Sequence, residues 1–336
     1  MDLVFSNNRP EQIIGDYLTF YESISSKTMF NNYRTPKMTK KKVIDFIDLY
    51  GHYEFLKSNS DKIYVYIYTI QELELLYNNK NYQKCIKNIT IDIYMNQIIN
   101  INEYSFDNLK VFNLLNYNKP LENNLDYLSN LEELNINYYT FPLNKSLYKL
   151  EKLKKLSILS YTHEFKDSLS KLKNLEELII YEYNHPFKNS LDQLVNLKII
   201  ESWRFNKPIH NSFDKLVNLR SLKLNNYNIF FNNSLSKLVN LEELKVHSYK
   251  EKLDTSLNNL KKLHTLKLDL ITSLDNVNPD IILNIKNLSV TIPLSKKYII
   301  YNFINLTELT VKKYNSLDLL KINIKHFKSL EILNII

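Results

Sequence analysis

Three groups of residues in this chain have types and spacings that could do chemistry. His163 and His185 lie 22 residues apart with Glu164 beside the first, the beginning of a metal site that would still need further ligands in fixed geometry. Ser146, Ser168, Ser190, Ser212, Ser234 and Ser256 recur at the same interval, and any one of them would need a base beside it to act as a nucleophile. The third group is Ile179, Tyr181, Ile199, Trp203 and Arg204. It joins the single tryptophan to one of four arginines, the residue types that dominate interface hot spots.

The first two groups read as structure. The serines are periodic, so each serves its own turn, and no unique base accompanies any of them. The two histidines read as solvated turn residues. With only Gly15 and Gly51 in the chain, a glycine-rich phosphate loop is excluded. No catalytic, cofactor-binding or metal-ligating set is assigned, and the expectation is a non-enzymatic protein.

What positions these residues is a repeat. An aromatic residue falls at Tyr117, Tyr139, Tyr161, Tyr183, Phe205, Tyr227 and Tyr249, each 22 residues after the last. Leu125, Leu147, Leu169, Leu191, Phe213, Leu235 and Leu257 keep the same step, as do Leu131, Leu153, Leu175, Leu197, Leu219, Leu241 and Leu263. Codon bias can explain the abundance of Asn, Lys and Ile and the absence of alanine, but it cannot hold three columns in phase. Each unit reads as one short strand, a turn rich in Asn or Pro, and a return arm. A single copy could not bury its leucines; a stack can.

The period and the strand motif LxxLxL are those of leucine-rich repeats. Phe205, Asn206, Pro208 and Ile209, with Tyr183, Asn184, Pro186 and Phe187, resemble the signature of the FNIP repeat, a variant found in amoebae and in large DNA viruses that infect them. The resemblance covers roughly Tyr117 to Leu268; the copies at Tyr161 and Tyr249 lack the proline. The expected fold is therefore an α/β-type repeat solenoid, a right-handed array with a parallel β-sheet on its concave face. The aromatic column should stack as a ladder. Asn130, Asn174, Asn196, Asn218 and Asn240, each just before a strand, should supply backbone bonding or left-handed turns.

In such an array the outward strand positions carry function, and the third group falls there. Ile179, Tyr181, Ile199, Trp203 and Arg204 are expected to form a contact patch for a protein partner on the concave face. The competing structural reading starts from Ser202, which stands where neighbouring repeats carry Ile180 or Leu224; Trp203 could turn inward to compensate. The repeats are expected from about residue 83 to residue 336, clearest over 117–268, behind a helical cap over residues 1–82. That cap would contain one helix near Pro10 and a second around Val43 to Leu56.

Pro10, Glu11, Ile14, Tyr17 and Leu18, followed by Met29 to Arg34, resemble a degenerate F-box. Arg9 stands where that module usually has leucine, and Gly15 interrupts the first helix. The resemblance implies an adaptor that binds a Skp-type subunit of a cullin ubiquitin ligase and presents a substrate on the concave face.

The formal charge of +8 would suit an anionic partner. Lys and Glu alternate within each unit, however, and a nucleic-acid surface would require Lys223, Lys245 and Lys267 to act together. With Cys85 as the only cysteine, no signal peptide and no apolar run near the roughly 20 residues of a membrane span, a cytoplasmic location is expected. The last residues, LEILNII, leave a coil face that a second copy could cover as a homodimer.

Overall fold

Each 22-residue repeat forms one coil, and stacking the coils lines up their strands. In a computed structural model of the protein, which describes residues 42–45, 50–95, 100–117, 119–270, 273–291, 299–312 and 323–335, fourteen strands pair in chain order into one sheet. They are β1 (Lys42–Asp45), β2 (Ile63–Ile67), β3 (Asn88–Met95), β4 (Val111–Tyr117), β5 (Glu133–Asn137), β6 (Lys155–Leu159) and β7 (Glu177–Tyr181). The sheet continues through β8 (Ile199–Trp203), β9 (Ser221–Asn225), β10 (Glu243–Val246), β11 (Thr265–Leu270), β12 (Asn287–Thr291), β13 (Glu308–Lys312) and β14 (Ile332–Ile335). Every pairing is parallel. In the regular stretch the register steps by one repeat: Leu134 opposes Leu156, Leu156 opposes Leu178, and Leu178 opposes Ile200. A slip of one residue would turn all of these leucines to the wrong face, so burial fixes the register.

The leucine columns fill a continuous core, and the aromatic column runs through it as a ladder. Tyr161, Tyr183, Phe205 and Tyr227 stack with centroids 6.3, 6.4 and 6.1 Å apart and planes within 9°. Phe165 and Phe187 interleave from the next position, 4.7 Å from Tyr183 and Phe205. Such pairs add about 0.5–1.5 kcal/mol each beyond their burial. The asparagine column clamps coil to coil. Asn130, Asn174, Asn196, Asn218 and Asn240 donate Nδ2–H to the carbonyls of Asp107, Glu151, Lys173, Val195 and Val217 at 2.7–2.9 Å.

Left-handed backbone occurs elsewhere, in two other columns. One is the residue before each ladder aromatic: Asn116, Tyr138, Ser160, Glu182, Arg204, Asn226 and Ser248. The other lies two residues after the turn position that holds proline in four of the repeats, at Glu122, Asn144, Lys166, Lys188, His210 and Asn232. A chain so poor in glycine fills these sites with side chains that pay about 1–2 kcal/mol for the conformation.

The span Val43 to Leu56, expected as one helix, is divided. β1 pairs with β2 in parallel, Gly51 takes φ 92, and the helix starts only at Tyr53 and runs to Asn59. Val43 and Ile44 are β-branched and favour the strand, and a positive-φ glycine breaks a helix. Two more short helices, Ile70–Tyr77 and Lys80–Cys85, pack in the return arms that follow β2. The first has a complete capping box: Glu72 N–H donates to Thr69 Oγ1 at 3.2 Å, and Thr69 N–H donates to Glu72 Oε2 at 3.0 Å. The expected helix near Pro10, and with it Pro10, Glu11, Ile14, Tyr17 and Leu18, lies outside the described residues.

Candidate interaction surface

Alternation along each strand sends every second side chain to the concave face, and the fixed register aligns these into columns. One column runs Asn113, Asn135, Ser157, Ile179, Glu201, Lys223, Lys245, Lys267, Ser289. The next, two residues on, runs Leu115, Asn137, Leu159, Tyr181, Trp203, Asn225.

Trp203 stays on this face. Its ring stacks on Tyr181, centroids 5.9 Å apart and planes 16° from parallel. Its Nε1–H donates to Glu201 Oε1 at 2.9 Å, and the other oxygen of Glu201 accepts from Lys223 Nζ at 3.2 Å. The indole is thus held by a stacking partner on one side and a charged clamp below it. Ser202, next in the chain, faces the core at 0% exposure between Ile180 and Leu224, and its hydroxyl has no hydrogen-bond partner.

The five residues expected as a patch are arranged unequally. Tyr181 and Trp203 meet ring to ring. Ile179 opposes Glu201, while Ile199 sits on the far side of Glu201 from Trp203 and opposes Glu177. Arg204, in left-handed backbone, turns to pair with Glu182, its equivalent one coil earlier. Ile179 and Tyr181 keep only 6% and 8% of their surface yet stand outside the core cluster. Side chains on adjacent strands, about 4.8 Å apart, shield one another on a concave face. Trp203 remains partly exposed.

Charged groups on the sheet are largely compensated within it. Lys155 pairs with Glu177 at 3.5 Å, and Ser221 Oγ–H donates to Glu243 Oε2 at 2.7 Å. Burial pushes the Glu243 carboxyl up, but hydrogen bonds from Lys245 and Ser221 outweigh it and hold the group below the usual carboxylate value. Sequence reading did not single out Glu201 or Lys223 as a pair. The signal was there once the strands are set in register, because the two residues lie one repeat apart.

Of the other candidate groups, the histidines and two of the serines, Ser168 and Ser190, bond within the repeat framework, while the hydroxyls of Ser234 and Ser256 are buried with no hydrogen-bond partner. His163 and His185 each donate Nε2–H to a carbonyl of the preceding coil, Thr140 and Thr162, at 2.8 Å. Ser190 is buried and donates to the Phe187 carbonyl at 2.6 Å. Among the described residues no group of three or more His, Cys, Asp or Glu could hold a metal ion, and no helix is long and apolar enough to cross a membrane.

The chain is similar in structure to an internalin, inlF, of Listeria monocytogenes, with TM-score 0.58 and 16% identity over 81% of this chain and 78% of that one. It is also similar to a chain of the Toll–Spatzle complex of Drosophila, with TM-score 0.60 and 16% identity. That match covers 91% of this chain and 45% of the other, so the present chain spans under half its length. The fold is a leucine-rich-repeat solenoid. No protein-family model matches the sequence, and no curated protein matches it by sequence.

Proposed function

We propose that the protein is a non-enzymatic interaction scaffold that holds a protein partner on the concave face of its sheet, centred on Tyr181 and Trp203. The observation that carries this reading is the partly exposed indole, stacked on Tyr181 and clamped by Glu201 and Lys223. A rigid aromatic anchor of this kind loses little entropy on binding, which is why such residues dominate interface energetics. One of the similar structures is itself a protein complex, Toll with Spatzle. A reducing, cytoplasmic setting fits the single cysteine, Cys85.

The test is a pull-down from amoebal lysate, read by mass spectrometry, with the full chain and with a Tyr181→Ala, Trp203→Ala double variant. Loss of specific partners by the variant supports the reading; retention of every partner removes it. A third bait lacking residues 1–41 tests the adaptor role through Pro10, Glu11, Ile14, Tyr17 and Leu18. This truncation leaves β1 in place, since Lys42 to Asp45 pair with β2. Skp-type and cullin subunits recovered by the full chain and lost by the truncation would make the protein a ubiquitin-ligase adaptor. A homodimer that covers the Ile332 and Ile335 side chains of β14, 49% and 44% exposed, is a separate proposal. Light scattering that shows only monomer over a wide concentration range removes it.

A further inference from the structure

Lys223, Lys245 and Lys267 occupy one register column, each directly opposite the next. Like charges set opposite one another destabilise a sheet. Two of the three are compensated on the spot, Lys223 by Glu201 at 3.2 Å and Lys245 by Glu243 at 2.5 Å. Lys267 is different: among the described residues no carboxylate forms an ion pair with it. The acid two residues away, Asp269, instead accepts from the Ser248 backbone N–H and faces His247 at 3.3 Å. On its other flank Lys267 opposes Ser289, a hydroxyl. Lys267, a partly buried residue flanked by the already paired Lys245 and by a hydroxyl, lacks an anion that a partner can supply.

We propose that the partner of the concave face is a protein segment that sets an Asp or Glu carboxylate against Lys267 while an apolar side chain covers Tyr181 and Trp203. This inference rests on the concave-face reading above and adds the chemistry of the occupant. β8 and β11 are three strands apart, ~14 Å at the usual spacing of ~4.8 Å, a distance that about four extended residues bridge. The face favours a peptide over a nucleic acid. Glu243 and Asp269 stand on the same strands as Lys245 and Lys267, and Glu201 opposes Lys223 from the adjacent strand; all three would meet a phosphate backbone with like charge, whereas a single carboxylate needs only the one uncompensated site.

The test is selection of a displayed random dodecapeptide library on the full chain, followed by affinity measurements on synthetic copies of the enriched peptides. The expected result is an Asp or Glu about four residues from an aromatic or large aliphatic residue. Lys267→Gln should then weaken those peptides by about tenfold or more, the value of one charge-assisted contact, with an unchanged circular dichroism spectrum. Peptides that require Tyr181 and Trp203 but ignore Lys267→Gln overturn this inference and leave the concave-face reading standing. Peptides indifferent to all three positions, or no enrichment, overturn both. Binding of a mixed-sequence single-stranded oligonucleotide, weakened alike by Lys223→Gln, Lys245→Gln and Lys267→Gln, overturns it in favour of nucleic acid.

Discussion

The hydroxyl of Tyr161 accepts the backbone N–H of Leu143, 18 residues earlier in the preceding coil, at 3.0 Å. Tyr139 does the same for Leu121 at 2.8 Å and Tyr183 for Phe165 at 3.3 Å. The ladder therefore has two components, ring stacking along the core and a bond at the ring's far end that satisfies a buried amide. Phe205 keeps the first and lacks the second, yet is fully buried in the same column.

Tyr161→Phe should separate these components. The ring and its stacking remain, while the Leu143 amide is left without its acceptor, at a cost of about 1–3 kcal/mol. Chemical denaturation reads the loss, and hydrogen exchange should show faster exchange at Leu143 than at Leu121. Equal stability and unchanged exchange at Leu143 would show that the hydroxyl contributes nothing.

Ser202 is a polar residue in a column otherwise filled by Ile158, Ile180, Leu224 and Val246. Its hydroxyl is buried without a partner, so Ser202→Val replaces an unsatisfied group by apolar volume that the neighbouring coils already accommodate. The expected gain is about 1–2 kcal/mol. A drop in melting temperature would mean that the neighbouring coils have already closed over the smaller side chain.

The parts of this fold that the sequence made legible are those in which the same residue meets its own copy one repeat away. The Tyr183 and Asn196 columns could be read because stacking and coil-to-coil bonding repeat with the period. β1 could not, since Val43 and Ile44 have no phased neighbours and their apolar spacing fits a helix as well as a strand. Gln83 was also missed. It is fully buried, donates Nε2–H to the Leu76 and Tyr77 carbonyls at 2.8 and 2.9 Å, and accepts from the Ser105 amide at 2.6 Å. A single polar side chain tying three backbone groups together leaves no periodic trace. On the concave face, residue types located the Tyr181–Trp203 pair, but their shielding and the Glu201–Lys223 clamp depend on side-chain directions that only the stacked sheet supplies.

The ladder sets an alkaline limit on stability. Burial pushes the Tyr139 phenol up to about 12, with the Leu121 amide opposing it, and burial also raises Tyr183, Tyr227 and Tyr249. An unfolded tyrosine ionises near ~10. The folded value is the higher one, so the stabilisation is complete below ~10 and is lost as pH rises through about 12. An alkaline titration should show ladder phenolate absorbance appearing together with loss of the circular dichroism signal. Phenolate formation at all tyrosines near ~10 with the fold intact would contradict the buried ladder.

Acid acts through the opposite sign. Hydrogen bonds from Lys154 and then Lys110 hold Glu132 below its ordinary value, and Glu243 is lowered by Lys245 and Ser221 against its burial. Their contribution is present above the unfolded carboxylate value of ~4.3 and is lost as pH falls through the lower folded values. Glu132→Gln should therefore flatten the fall in melting temperature below that pH, modestly because this pair is largely exposed. An unchanged acid limb in the variant would remove Glu132 from the account.

Lys166 holds φ 49 at the position where the preceding coil places Asn144 at φ 45 and a coil three repeats on places Asn232 at φ 48. Left-handed backbone costs a lysine about 1–2 kcal/mol, and asparagine bears it more easily because its short polar side chain bonds locally. Lys166→Asn should therefore raise stability by about 0.5–1 kcal/mol, and the reverse exchange, Asn144→Lys, should lower it by a similar amount. The lysine forms no ion pair among the described residues, and its charge acts on Glu164 and Asp167 only as a minor attraction whose loss in Lys166→Asn opposes the gain. If Asn144→Lys leaves the melting temperature unchanged, the turn relaxes without strain and the asparagines in this column are there for another reason.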